Sequence, residues 1–185
     1  MVYLAITCRC VIGLVLLVSA VGKLRSGSAF DEFTAWLARL PLPLVGKHPG
    51  LLGVVMVAAE AAAAVLVALP SAAVIGLLLA AVLLAVFTAG TSLAIARGTR
   101  AHCLCFGGSG APLSLLHVVR DAALCLVAVA GAVASPAAGA HPAGAVTSLA
   151  GGAAVAIIVV FLDDVAALFA GSGDAGAGAF HGDGQ

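Results

Sequence analysis

Apolar residues run through this chain in long, nearly unbroken stretches. Four of them, residues 4–22, 51–69, 72–96 and 113–134, reach the length of about 20 residues that a helix needs to cross the hydrocarbon core of a bilayer. A fifth, residues 145–162, is slightly shorter but adequate. Strands with open edges leave backbone groups unsatisfied in lipid, and these runs are too long and too uniformly apolar for barrel strands. The pattern therefore predicts an all-α, polytopic membrane bundle of about five transmembrane helices within residues 1–170. The first run reads as a retained helix, because no small-residue cleavage site precedes a soluble domain and further apolar runs follow.

The breaks between runs carry their own signals. Pro70-Ser71 alone separates the second and third runs, which predicts a tight helical hairpin, and Pro136 to Pro142 joins the fourth to the fifth. Ser28 and Asp31 resemble a capping box, and Phe30, Phe33, Leu37 and Leu40 recur at helical spacing before Pro41-Leu42-Pro43. That predicts an amphipathic helix over about 28–40, lying at the membrane interface with Trp36 as an interfacial anchor. Residues 171–185 are glycine-rich and bury too little surface to offset their ordering entropy, so a disordered tail is expected there. Small residues inside the runs, such as Gly151-Gly152 and the segment from Ala58 to Ala64, let helix backbones approach closely.

Composition sharpens this picture. With 63% hydrophobic and 9% charged residues, the chain holds more apolar side chain than one soluble core buries, so a bilayer must take the excess. An integral, multi-pass protein of the plasma (cell) membrane is expected. The net charge is zero, the eight basic residues are scattered and only nine side chains are aromatic, which excludes a nucleic-acid partner. Lys23, Arg25, Arg39, Lys47, Arg97 and Arg100 all fall in the two loops that share one side. The positive-inside rule, counted simply, puts that side in the cytoplasm.

The candidate chemistry lies in one of those loops. His102-Cys103-Leu104-Cys105 follows Arg97 and Arg100 and precedes Gly107-Gly108, just beyond a helix end. Positive neighbours favour thiolate, the nucleophile of disulfide exchange, and the glycines permit the bend that two cysteines so close need in order to bridge. Cys103 and Cys105 are thus the candidate catalytic pair, with His102 and Arg100 supporting them. Two other readings stand beside this one: His102, Cys103 and Cys105 as ligands of a thiophilic metal ion, and inert thiols.

Cys8 and Cys10 form a possible second thiol site. On a helix they point about 200° apart, so they are not expected to pair with each other. Counted at about 1.5 Å per residue, Cys10 and Cys125 lie at similar depth, and can meet if the first and fourth spans touch; two unrelated buried thiols are the alternative. In the fourth span Ser114, His117, Asp121 and Cys125 form a polar stripe at three- and four-residue spacing, with Arg120 on its flank. Glu60, at mid-depth in the second span, requires a partner, for which Arg120 is the natural candidate. The stripe either tunes the thiols and carries their protons or simply locks helices together. Lys23, ending the first span, is expected to snorkel to the headgroups.

Taken together, Gly22-Lys23-Leu24-Arg25, Phe30, Pro41 and Pro43, Glu60, Arg97-Gly98, Cys103-Leu104-Cys105-Phe106-Gly107 and Arg120-Asp121 resemble the MauE proteins of methylamine utilisation, within the wider DoxX-like group. The resemblance covers roughly residues 5 to 130 and implies a DoxX-like four-helix core plus one. It also implies a redox-associated membrane protein that acts with a thioredoxin-like, MauD-type extracytoplasmic partner on a protein disulfide substrate, the small subunit of methylamine dehydrogenase in the namesake system. That places the Cys103/Cys105 loop outside, against the charge count. Cys8 and Cys10 lie outside the family pattern, and Asp121 stands where Asn is expected. No cofactor is assigned; a quinone acceptor enters only by analogy of layout with vitamin K epoxide reductase-like bundles. The rival readings are a carrier of mercury, copper or zinc ions and a non-catalytic scaffold.

Overall fold

The computed structural model describes residues 1–39, 48–97, 115–135 and 142–177. These form six helices: α1 (Val2–Leu24), α2 (Gly27–Arg39), α3 (Pro49–Ala68), α4 (Ala73–Ala96), α5 (Leu115–Ala134) and α6 (Pro142–Ala177). Five helices are long and apolar enough to cross a membrane, and each coincides with a predicted run. No strand occurs among the described residues. Large side chains such as Ile75, Val82, Leu126, Val133 and Ile158 stay exposed on the outside of the bundle, an arrangement that only lipid contact makes favourable.

Helix α1 is the hub, packing against α2, α3, α4, α5 and α6, while α3 packs on α4 and α4 on α5. Where these helices meet, the core is built of small and medium residues: Ala63, Ala80 and Ala128 are fully buried beside Ile12 and Leu77. In lipid the hydrophobic effect no longer drives helices together, so close packing must do so, and small residues permit it. Gly76 on α4 makes the closest approach to a neighbouring backbone: a Cβ there would sit 2.5 Å from the backbone nitrogen of Val67 on α3. Pro70 and its neighbours close this hairpin, with Ala72 N–H donating to Leu69 O at 3.2 Å.

Helix α6 lies along α1 and runs parallel to it. Tyr3 meets Gly144 near one end, and further along Cys10 meets Gly152. Thr7 links the pair by donating to Ser148 O at 3.3 Å. The helix continues to Ala177, past the predicted end at 162 and into the stretch for which the sequence predicts disorder from 171. Once a helix is nucleated, each further residue adds a backbone hydrogen bond, and the alanines of this stretch favour it. Residues 178–185 lie outside the described residues.

Helix α2 forms where its periodicity predicts, but two details differ. Its cap is Ser26, whose Oγ accepts from Ala29 N–H at 3.2 Å, rather than Ser28. The helix also packs into the bundle instead of resting on it: Phe33, Trp36 and Leu37 are buried with Val57 of α3 and Phe87 and Ala94 of α4. Trp36 is therefore a core residue, stacked on Phe33 with ring centroids 6.3 Å apart, not an interfacial anchor.

Candidate functional site

One face of the bundle gathers the end of α1, all of α2, the start of α3, the end of α4 and the start of α5. The last two are the ends that bracket residues 98–114. On this side of the bundle, inside the helices, lies a cluster of buried polar side chains: Ser19, Lys23, Glu60, Thr91, His117, Arg120 and Asp121.

Its centre is an ion pair. Lys23 Nζ lies 2.6 Å from Glu60 Oε1 and 2.8 Å from Oε2, and it also donates to Ser19 Oγ at 2.8 Å. Ser19 Oγ in turn donates to Glu60 Oε2 at 3.3 Å. The three ammonium protons thus have three acceptors, which offsets the cost of holding the charges away from water. Ser19 and Lys23, four residues apart, share one face of α1. The rings of Phe33 and Phe87 each stand 5.0 Å from Lys23 Nζ, so the cation is flanked by two π faces. Lys23 accordingly does not snorkel to headgroups. It turns inward and, in place of Arg120, is the partner of Glu60.

Arg120 instead binds its neighbour Asp121, with Nε and Nη2 donating to Oδ1 at 3.1 and 3.0 Å. Asp121 also lines a cavity of about 10 Å³ together with Ser19, Glu60 and Phe87, at the lower limit of what one water occupies. The cavity is where α5 meets the α1–α3 ion pair. His117, one turn closer to the start of α5, is buried on the same stripe. Of the sequence-derived stripe of Ser114, His117, Asp121 and Cys125, His117 and Asp121 are buried here together with Arg120 of its flank, and Glu60 lines the cavity with Asp121.

Cys125 continues the spacing but is only half buried, and its Sγ donates to Ala81 O on α4 at 3.4 Å. Cys8 is buried, with its Cβ against Gly131 of α5, whereas Cys10 Sγ donates to Leu149 O of α6 at 3.4 Å. The two thiols of α1 thus face different helices, as residues two apart on a helix must. All three cysteines are free, and Cys10 and Cys125 point to different neighbours.

The candidate catalytic residues Cys103, Cys105, His102 and Arg100, which include the three alternative metal ligands, lie outside the described residues, as does Ser114. Among the described residues no group of three or more His, Cys, Asp or Glu is placed to hold a metal ion. Sequence reasoning missed Ser19 and misread Lys23. The available signal was their four-residue spacing at the end of α1, together with the need of Glu60 for a cation.

The family model described as Methylamine utilisation protein MauE matches residues 1–134, a match that ends with the last residue of α5 and leaves α6 outside. No curated protein and no solved structure matches the chain. The chain belongs to the MauE family.

Proposed function

We propose that this multi-pass MauE-family protein is a thiol–disulfide exchange component of the plasma membrane. In this reading Cys103 and Cys105 trade a disulfide for a dithiol with a thioredoxin-like partner and so support disulfide formation in an extracytoplasmic protein. The family's description sets this in methylamine utilisation. The observation that carries the reading is the buried cluster of Ser19, Lys23, Glu60, His117, Arg120 and Asp121 beneath the helix ends that bracket residues 98–114. A purely structural bundle has little reason to concentrate its ionisable residues there, since such groups are costly in a membrane and usually serve function.

The exchange balances without an added oxidant. A thiolate of one dithiol attacks a sulfur of the other protein's disulfide, a mixed disulfide forms, and the remaining thiol displaces it. Two electrons and two protons pass from the dithiol to the disulfide. Arg100 and His102 favour the attacking thiolate, and the carboxylates and imidazole of the buried cluster take up and return the protons.

Single and double cysteine variants test the proposal. With Cys103→Ser or Cys105→Ser, a mixed disulfide to a thioredoxin-fold protein accumulates, and the double variant no longer supports disulfide formation in the client. Unimpaired disulfide formation by the double variant would leave only a scaffold role. Stoichiometric, thiol-dependent metal binding with accumulation in cells would mean a metal carrier instead.

A further inference from the structure

Arg9 stands apart from this site, level with the end of α3 and away from the end of α4 and the start of α5. A helix leaves its last four carbonyls without intrahelical donors. At the end of α3, Leu69 N–H reaches Val65 O and Leu66 O, each at 3.2 Å. Arg9 supplies the other two, donating from Nε to Val67 O at 3.0 Å and from Nη2 to Ala68 O at 3.3 Å. A cation is also favourable at this negative end of the helix dipole.

Capping leaves most of the donors unused. A guanidinium has five N–H donors, and two are taken here. No carboxylate balances Arg9 among the described side chains: Asp31, Glu32, Glu60 and Asp121 belong to the other half of the bundle, and the span of α6 to Leu162 contains no Asp or Glu.

Arg9 also lines an apolar groove of about 740 Å³ between α1, α3 and α6, walled by Ile6, Leu14, Leu17, Val65 and Leu149. From Arg9 to Leu17 the groove follows α1 for about 12 Å at the helical rise. One leaflet of hydrocarbon is about 15 Å deep, half of the bilayer core. A groove that runs from a cation through most of one leaflet, with apolar walls, matches an anionic amphiphile.

We infer that this groove is a phospholipid site: a phosphate headgroup binds the free N–H donors of Arg9, and an acyl chain lies between α1, α3 and α6. The site is independent of the thiol chemistry. It forms partly from α6, the helix beyond the family match, so the added span completes a lipid seat on the family's core.

Native mass spectrometry of the full chain in detergent tests this, with phosphatidylglycerol, a diacylglycerol of the same chains, inorganic phosphate and ubiquinone as probes. The wild type should retain one phosphatidylglycerol about tenfold more tightly than the diacylglycerol, equivalent to ~1.4 kcal/mol, and should not hold inorganic phosphate alone. Arg9→Gln should bring phosphatidylglycerol down to the diacylglycerol level. Ala61→Phe fills the groove without touching the cap, so it should abolish retention even if Arg9→Gln fails to fold. Equal retention of the two lipids, unchanged retention in Ala61→Phe, or displacement by ubiquinone at an affinity indifferent to Arg9 would overturn the inference.

Discussion

Lys23 and Glu60 form an ion pair with both side chains only 1% exposed, tying the last turn of α1 to the middle of α3. The pair is far from neutral ballast, because each charge depends on the other to remain in a water-poor interior.

Breaking it from one side should therefore cost more than removing it whole. Lys23→Ala or Glu60→Ala leaves an uncompensated buried charge, for which about 3–5 kcal/mol is typical. Lys23→Met combined with Glu60→Leu keeps apolar volume and should recover most of that loss. Thermal unfolding of the detergent-solubilised variants checks this, and a double variant no more stable than either single would refute it.

The rings beside Lys23 make a separable contribution. Phe33→Leu keeps an apolar side chain but removes one π face at 5.0 Å, so a loss of about 1 kcal/mol from the cation–π contact is expected. The loss should largely vanish in the Lys23→Met background. Equal losses in both backgrounds would assign Phe33 to packing alone.

The five spans were legible because about 20 apolar residues in a row have few other uses, and the described helices start and end within three residues of the predicted limits everywhere except at the end of α6. The fate of α2 was less legible. Periodicity at Phe33 and Leu37 shows that one face is covered, but lipid and a neighbouring helix cover it equally well in sequence terms. Lys23 illustrates the same limit, since a lysine at a helix end suits both a headgroup and a buried carboxylate 37 residues away. Glu60 announced its need for a partner but not which partner, because that choice depends on how α1, α3 and α5 pack. That His117 and Asp121 share a face was readable because they lie on a single helix, where spacing alone fixes the face.

Adjacent glycines on α6 offer a sharp contrast in packing. A Cβ at Gly151 meets nothing within 4 Å, whereas one at Gly152 would lie 2.8 Å from Cys10 Cβ and 3.0 Å from Thr7 O. Gly151→Ala should be silent, and Gly152→Ala should push α6 from α1 at a cost of about 1–3 kcal/mol, the usual penalty of overpacking. Limited proteolysis of the link between α5 and α6 would report the loosening, and equal protection of the two variants would contradict it.

The buried cluster is either a lock between helices or a carrier of the protons that thiol exchange releases, and the paired Lys23→Met, Glu60→Leu variant separates the two. It keeps the helices together by the packing argument above, yet it removes the carboxylate that lines the small cavity with Asp121 and the ammonium paired with that carboxylate. If the cluster handles protons for Cys103 and Cys105, disulfide exchange with the thioredoxin-like partner should slow by about 10²-fold, the lower range for general acid–base help, while the unfolding temperature stays near that of the wild type. Stopped-flow measurement of exchange alongside thermal unfolding reads both quantities on the same samples. An unchanged rate in a well-folded double variant would show that Lys23 and Glu60 only hold α1 to α3, and would leave proton transfer to His117, Asp121 or solvent.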